Sequence, residues 1–384
     1  MAEISYHLTA PRLVFGVGAV AEIPDEVVRL VKGKVLVVTD PGLVEVGVAA
    51  QVTTMLNEAG VGHVVFSGVE PNPSVDTVQA ALQLYGEENC QCLLAVGGGS
   101  SMDTAKAVGI LASNGGDIRD YEGIGKVKRP LPPLLAIPTT VGTGSEVTVF
   151  TVITDRDRCF KMTIGSPFLL PQTAILDPAL TTSLPPAVIA STGMDALTHA
   201  VESYTSLGST PFSEPFALQA IRLIARSLPQ AVAGREVTVM GDMLYASAMA
   251  GMAFTNTRLG NAHAMSHPLG GYYNLAHGVA NAVLLPHVME FNLPACPAKM
   301  ARIAEAMGEE VGGLSEAEAA HKALEAVRRL SAEIGIPSGL GALGVTEEEH
   351  MAEMTNDAML SGNILVNPRK TTREDVLKLY QKAL

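Results

Sequence analysis

Apolar and polar positions follow two rhythms along this chain, and the rhythm changes near its middle. In the first half, short apolar runs bounded by turn residues stand at 34–39, 63–66, 92–96 and 134–137. Their length and their Val, Leu and Ile content suit strands buried on both faces. Between them, 48–58 and 77–85 carry apolar residues at helical spacing. Strands spaced by helices predict a parallel sheet covered on both sides. Residues 12–15, short and preceded by a polar, Pro-containing start, read as an edge strand. Residues 147–154 and 159–164, joined by Asp155-Arg-Asp-Arg158, read as a hairpin. After Asp177-Pro178 helical periodicity takes over, for example at 216–228, 239–254, 297–307 and 316–334. The expected architecture is an α/β domain at 1–185 followed by an all-α domain at 186–384.

Composition narrows the function classes. A length of 384 residues with 47% apolar and 17% charged residues fits one large or two ordinary domains with a substantial core, not a disordered chain. The net charge of −13 weighs against nucleic acid and anionic membranes. It does not exclude an anionic cofactor, because backbone N–H groups hold phosphate locally. Cys90, Cys92, Cys159 and Cys296 are too few and too scattered for a disulfide framework and fit a reducing compartment. Cys90 and Cys92 resemble half a metal site, but no second thiol pair follows, so packing is their expected role. Residues 1–7 lack a basic stretch leading into an apolar core, and no apolar run reaches membrane-spanning length. The expected location is cytoplasmic, with no membrane or nucleic-acid partner.

Two glycine-rich turns compete as phosphate sites. Gly97-Gly98-Gly99-Ser100 follows an apolar strand and enters a helix-compatible stretch through Asp103 and Lys106. Consecutive glycines allow close backbone approach to an anion, and a helix N-terminus aims free N–H groups at it. The second turn, Gly16-Val-Gly18-Ala-Val-Ala21, matches the spacing of a dinucleotide fingerprint, with Asp40 about 20 residues on. Its strand is short and Pro24 falls where the helix should run, so it reads as a decoy. Asp40 keeps a role beside the first turn: a carboxylate ending a parallel strand accepts ribose hydroxyls and repels a 2′-phosphate, favouring NAD over NADP. The plainer alternative is a turn-forming Asp before Pro41-Gly42. Thr139, Thr140 and Thr143 follow the next strand and could complete the same crevice.

The densest chemistry lies between Asp195 and His277. Asp195 and His199 are four apart, as are His263 and His267, so each pair shares a helix face. His277 opens another segment after a Gly-Gly break. Taken singly, a helical Asp/His pair is most often a surface ion pair. Here the neighbours are Gly193, Ala196, Leu197 and Ala200, which predict an interior. Buried ionisable groups need partners, and one carboxylate with three imidazoles suits Fe(II) or Zn(II). Asp195, His199, His263 and His277 form the expected ligand set. His267 borders it, either as a proton relay or as packing. Ala264 stands where a zinc peptidase carries its glutamate base, which argues against peptidase chemistry.

Together these residues make the chain resemble the iron-containing (group III) alcohol dehydrogenases. The resemblance runs nearly end to end, through Phe15-Gly16, Val38-Thr-Asp40, Pro71-Asn-Pro73, Gly97–Ser100, Pro138-Thr-Thr140, Gly142–Glu146, Gly193–Glu202, His263–His277, His277–Ala282 and Asn367-Pro-Arg369. It implies an N-terminal Rossmann-like parallel-sheet domain, an all-α C-terminal domain and an active site in the cleft between them. It implies a catalytic Fe(II), sometimes replaced by Zn(II), on Asp195, His199, His263 and His277. It places the pyrophosphate of NAD(H) on Gly97–Ser100 and Asp40 near the ribose. The cofactor set is then Asp40, Asn72, Gly97, Gly98, Gly99, Ser100, Asp103, Thr139, Thr140, Thr143 and Lys161, with Lys161 resting on the resemblance alone. Phe150 replaces a small polar residue of some diol-specific relatives and, with Phe254, suggests an apolar pocket for simple primary alcohols. Homodimers or larger assemblies are expected.

The implied reaction is hydride transfer between a small alcohol or aldehyde and NAD(H), with His267 as candidate proton relay. The principal rival is a non-redox lyase of the dehydroquinate-synthase type. It would need a basic pocket, and only Arg258 stands near His263–His277. A metal-dependent hydrolase would not need the Gly97 turn, and a binding protein would not need so dense a metal constellation.

Overall fold

The apolar runs of the first half form the strands expected of them. The structure, a computed structural model, describes residues 7, 10–158, 160–346 and 349–384; residues 1–6 of the N-terminal reading and Cys159 lie outside them. Two units segregate: Leu8–Thr140 with Gly144–Ser183, and Leu184–Leu384 with Val141–Thr143. The main division thus falls after Ser183, beside the expected one after residue 185. The short Val141–Thr143 segment packs with the helices, which no pattern in the sequence signals.

Among the described residues the α/β unit contains nine strands: β1 (Arg12–Phe15), β2 (Lys34–Val38), β3 (His63–Phe66), β4 (Cys90–Gly97), β5 (Gly123–Ile124), β6 (Leu134–Pro138), β7 (Phe150–Asp155), β8 (Phe160–Gly165) and β9 (Thr173–Leu176). Six form one parallel sheet in the order β1-β9-β6-β4-β2-β3. The periodicity signalled all of them except β9, a four-residue run. Alternate side chains enter two separate cores. Leu36, Val38, Leu93 and Ala95 pack under the Val75–Glu87 and Gly99–Asn114 helices. Val35, Val37, Leu94 and Val96 pack under Ile23–Leu30 and Val48–Glu58. Burial on both faces is why these strands are continuously apolar. Cys90 belongs to the first core and Cys92 to the second, so the two thiols diverge. Burial pushes Cys92 up to about 12, consistent with packing rather than ligation.

The strand order sets the crevice. From β2 the chain steps outward to β3, then returns across β2 to β4 and continues to β6 and β9. Ligands of such sheets bind at that reversal, outside the carboxyl ends of the two strands. Those ends are Asp40 after β2 and Gly97–Gly99 after β4. A second sheet, β5-β8-β7, contains the expected hairpin, with Phe150 paired to Gly165 and Asp155 to Phe160. The hairpin starts at Phe150 rather than 147, because Ser145–Val147 forms a 3₁₀ turn.

The other unit is helical, as expected. Its helices include Pro186–Thr205, Glu214–Gly234, Val237–Thr257, Asn261–Tyr272, His277–Asn292, Pro297–Ala306 and Glu316–Glu333. Contrary to the sequence reading, one of them, Val237–Thr257, is long and apolar enough to cross a membrane by composition. Most of it is buried inside the unit, and that burial accounts for its apolar circumference.

Candidate active site

Asp195 and His199 lie on Pro186–Thr205, a helix buried continuously from Gly193 to Thr205. The pair is therefore withdrawn from water and is not a surface ion pair. His263 lies on Asn261–Tyr272, and His277 is the first residue of His277–Asn292. The next residue explains how His277 comes so close. A Cβ on Gly278 would stand 2.3 Å from the Ser191 carbonyl oxygen, so the two helices approach there only because the position is glycine.

Ligand atoms of Asp195, His263 and His277 lie within 4.8 Å of one another. Asp195 Oδ1 is 3.6 Å from His263 Nε2 and 3.8 Å from His277 Nε2. His199 stands beside this trio, its ring stacked on His263 and on Phe254 with centroids 4.5 Å apart in each case. In all three histidines Nδ1 meets an oxygen: the Gly142 carbonyl at 3.2 Å for His199, Glu202 Oε2 at 2.6 Å for His263 and Ser266 Oγ at 3.5 Å for His277. An acceptor at Nδ1 keeps the proton there and leaves the Nε2 lone pair free, which is the form a metal binds. Asn281 Nδ2 donates to Asp195 Oδ1 at 2.8 Å and lies 3.0 Å from His263 Nε2 and 3.1 Å from His277 Nε2. Its own Oδ1 is buried without a partner.

Burial and mutual charge shift these groups strongly. Burial alone would raise the Asp195 carboxyl, but the neighbouring His199 and His277, with His263, hold it far below the usual range. Burial pushes His199 down to about 4, against the pull of Asp195. Burial would also depress His263, but hydrogen bonds to Asp195 and Glu202 outweigh it and hold it up at about 9, so a metal binding there must displace the proton that Nε2 shares with Asp195. An anionic carboxylate among imidazole lone pairs, with no thiolate, is a donor set that fits Fe(II) or Zn(II).

The Gly97 turn has the features of an anion cradle. Gly97 has φ +153°, and a Cβ there would stand 2.3 Å from Ser101 Oγ and 3.5 Å from Asp40 Oδ2. Gly98 precedes the Gly99–Asn114 helix and offers no capping side chain, so the first-turn N–H groups are left for a ligand. Three buried hydroxyls at this end of the sheet, Thr39 Oγ1, Ser101 Oγ and Thr140 Oγ1, have no partner. The Gly16–Ala21 turn is different. Gly18 and Val20 N–H both donate, at 3.1 Å, to the carboxylate of Asp177. Its anion site is filled from within the chain, as a decoy requires.

An iron-containing alcohol dehydrogenase model matches residues 10–178, and the C-terminal model of the same family matches 189–384. The chain is 47% identical over 374 residues to the 1,3-propanediol dehydrogenase of Citrobacter freundii, with 96% of each covered. It is 42% identical over 375 residues to the NAD-dependent methanol dehydrogenase of Bacillus methanolicus, covering 97% of this chain and 98% of that one. A solved 1,3-propanediol oxidoreductase superposes with a TM-score of 0.96 at 45% identity, with both chains fully covered. The chain belongs to the iron-containing alcohol dehydrogenase family. It is an oxidoreductase of the alcohol dehydrogenase class, on the α/β plus helical fold of that family.

Within this alcohol dehydrogenase the remaining candidates occupy several environments. Lys161 Nζ donates to Asn72 Oδ1 at 2.9 Å, so two cofactor candidates distant in sequence meet. Thr139 is buried and donates its N–H to the Gly97 carbonyl at 3.0 Å. Ser100 uses its carbonyl to accept from Thr104 Oγ1. Thr143 packs with the helical unit. Asp103 is spent internally: it accepts from Ser145 Oγ at 3.0 Å and Val152 N at 3.1 Å, and burial pushes it up to about 6. Asp40 Oδ1 caps the Pro41–Glu45 helix by accepting from Leu43 N at 3.1 Å. Phe254 covers His199, whereas the Phe150 ring lies over Gly165 in the α/β unit. His267 is half-buried, its ring 5.4 Å from that of His277.

Sequence reasoning missed Glu202, Asn281 and Asp177. The first two were findable. Glu202 is seven residues after Asp195 and Asn281 four after His277, so each continues a ligand's helical stripe. Asp177 carried no local signal, because its partners lie 157 and 159 residues away.

Proposed function

We propose that the chain interconverts short primary alcohols or diols and aldehydes, with NAD(H) as hydride carrier and Fe(II), or Zn(II) in its place, on Asp195, His199, His263 and His277. The observation that carries this reading is the convergence of Asp195 Oδ1, His263 Nε2 and His277 Nε2 within 4.8 Å, with each imidazole tethered through Nδ1. The relatives support the substrate class, since 1,3-propanediol and methanol are both short primary alcohols. When bound, the metal supplies Lewis acidity to an alcohol or carbonyl oxygen, and the nicotinamide takes or returns the hydride.

The chain's own residues do the rest. Asp195 supplies the one negative charge of the ligand set. Phe254, stacked on His199, excludes water from that side and offers an apolar wall. Phe150, where some diol-specific relatives carry a small polar residue, supports simple primary alcohols over vicinal diols. The first-turn N–H groups after Gly97 hold the pyrophosphate, with Ser101 and Thr140 hydroxyls as further donors. Asp40 keeps Oδ2 for ribose hydroxyls while Oδ1 caps its helix. Thr139, Thr143 and the Lys161–Asn72 pair complete the cofactor set. His267, beside His277, passes the released proton to solvent. The family resemblance and the low cysteine content support a cytoplasmic homo-oligomer.

Anaerobic NAD reduction by a panel of primary alcohols and diols tests the reading. Metal-stripped protein is inactive, and Fe(II) or Zn(II) restores NADH formation. Bound metal and bound NAD without turnover of any alcohol would replace the reading with a non-redox one.

A further inference from the structure

The helix that carries His263 begins without a cap of its own. Gly260 precedes it and has no side chain to accept the first-turn N–H groups. Two side chains remote in sequence take them instead. Glu202 accepts from Gly260 N at 3.0 Å, Ala262 N at 2.6 Å and His263 N at 3.4 Å, and meets His263 Nδ1 at 2.6 Å. Asn367 Oδ1 accepts the intervening N–H, that of Asn261, at 3.3 Å.

Both acceptors are themselves fixed. Glu202 is 4% exposed and Asn367 2% exposed. Asn367 forms a reciprocal amide pair with Asn292, at 2.7 and 3.0 Å, and donates to the Arg369 carbonyl at 2.7 Å. A Cβ on Gly260 would stand 2.9 Å from Glu202 Oε1 and 3.0 Å from Asn367 Oδ1, so the cap closes only on glycine.

We propose that Glu202 and Asn367 form a cap, assembled from distant segments, that positions His263 as a metal ligand. The proposal rests on the reading of the metal centre given above. Glu202 acts through His263 Nδ1: it keeps the proton on that nitrogen, turns Nε2 towards Asp195 and makes the imidazole a stronger donor. Its carboxylate sits at the helix N-terminus, where the N–H groups of Gly260, Ala262 and His263 converge on it. Asn367 acts one step further out, on the backbone that carries the ring. Neither touches substrate, so both are positioning residues. The motif Asn367-Pro-Arg369 thereby gains a physical role.

Glu202→Gln keeps the shape and removes the charge. Its Zn(II) affinity, measured by chelator competition, falls about 10- to 100-fold, the usual effect of losing such a partner. The visible bands of the Co(II)-substituted protein shift as well, which a merely structural role would not cause. Asn367→Ala weakens Zn(II) binding less than Glu202→Gln does. Should Glu202→Gln fail to fold, Glu202→Asp, which keeps the charge but withdraws it from Nδ1, gives the same readout. Asp195→Ala is the control. If it loses metal while folded Glu202→Gln binds Zn(II) within about twofold of the parent and keeps its Co(II) spectrum, the cap proposal is overturned and the metal centre stands. If Asp195→Ala retains full metal, the ligand assignment itself fails and the cap with it.

Discussion

Lys106 in the α/β unit and Asp195 in the helical unit are both withdrawn from water, and their surroundings answer burial in opposite ways. Lys106 Nζ donates to five oxygens, those of Ser145 (carbonyl and Oγ), Thr148 (carbonyl and Oγ1) and the Phe150 carbonyl, all within 3.1 Å. The ammonium N–H groups there are all taken by oxygens of the chain itself, and the cluster ties the Gly99–Asn114 helix to β7. Around Asp195 the chain brings a carboxylate oxygen and imidazole nitrogens of His263 and His277 within 4.8 Å of one another, with the Asn281 amide beside them. A closed cluster is architecture; a cluster with surplus acceptors aimed at one point calls for a cation. The two glycine turns repeat the lesson. Asp177 fills the Gly18 turn from inside, whereas the Gly97 turn is surrounded by hydroxyls without partners.

The largest expected effect breaks the open cluster. Asp195→Ala removes the carboxylate of the proposed ligand set. Activity falls at least about a thousandfold, the several kcal/mol of charge stabilisation that a Lewis acid contributes. Metal content falls with it, while NAD affinity is kept, because the Gly97 turn belongs to the other unit. Elemental analysis of the purified variant, with NAD titration alongside, checks both halves; full metal content would remove Asp195 from the ligand set.

Breaking the closed cluster has a different signature. Lys106→Met leaves the buried Asp103 and Glu146 without their cation, at a cost of roughly 3–5 kcal/mol in stability. Zn(II) affinity is unchanged in whatever fraction stays folded. Chemical denaturation reads the first quantity and chelator competition the second. A loss of metal affinity matching the loss of stability would erase the distinction between the two clusters.

This contrast was only half legible in the sequence. Asp195, His199, His263 and His277 could be read because helix periodicity fixes which side chains share a face, and small neighbours predicted burial. The sheet could be read because strands buried on both faces are continuously apolar. What escaped depends on contacts remote in sequence. Asp103 shares a helix with the Gly97 turn, but whether its carboxylate faces ligand or β7 is decided by a hydrogen bond to Val152, 49 residues on. Val141–Thr143 joins the helical unit although it follows a sheet strand. His199 Nδ1 meets the Gly142 carbonyl 57 residues earlier, a pairing no periodicity encodes.

Glu146 sharpens the comparison through pH. It is 1% exposed, and neither carboxylate oxygen has a hydrogen-bond partner. Burial pushes it up to about 7, against its own backbone N–H and the charge of Lys106. Unfolded, the group releases its proton near its ordinary value of 4.5. Between those values the folded protein holds the extra proton, so stability falls as pH rises through the window. Glu146→Gln removes that titration. Its stability relative to the parent rises by about 3 kcal/mol from the lower to the upper end of the window. Denaturant melts at several pH values measure it, and parallel curves for the two proteins would show that Glu146 is ionised in the fold.

The smallest effect concerns Asp40, where structural and functional demands meet on one carboxylate. Oδ1 caps the Pro41–Glu45 helix, and Oδ2 faces the Gly97 side. Asp40→Gly removes both. The preference for NAD over NADP relaxes by about tenfold in kcat/KM, worth roughly 1.4 kcal/mol, because the charge that repels a 2′-phosphate is gone. The lost cap costs only a few tenths of a kcal/mol, since glycine is itself tolerated before a helix. Asp40→Asn separates the two demands: it keeps a capping oxygen and removes only the charge. If repulsion sets the preference, Asn relaxes the NADP-to-NAD ratio nearly as far as Gly does, with no loss of stability. An unchanged ratio in both variants would leave Asp40 as a turn residue alone, closed within the chain like Asp177.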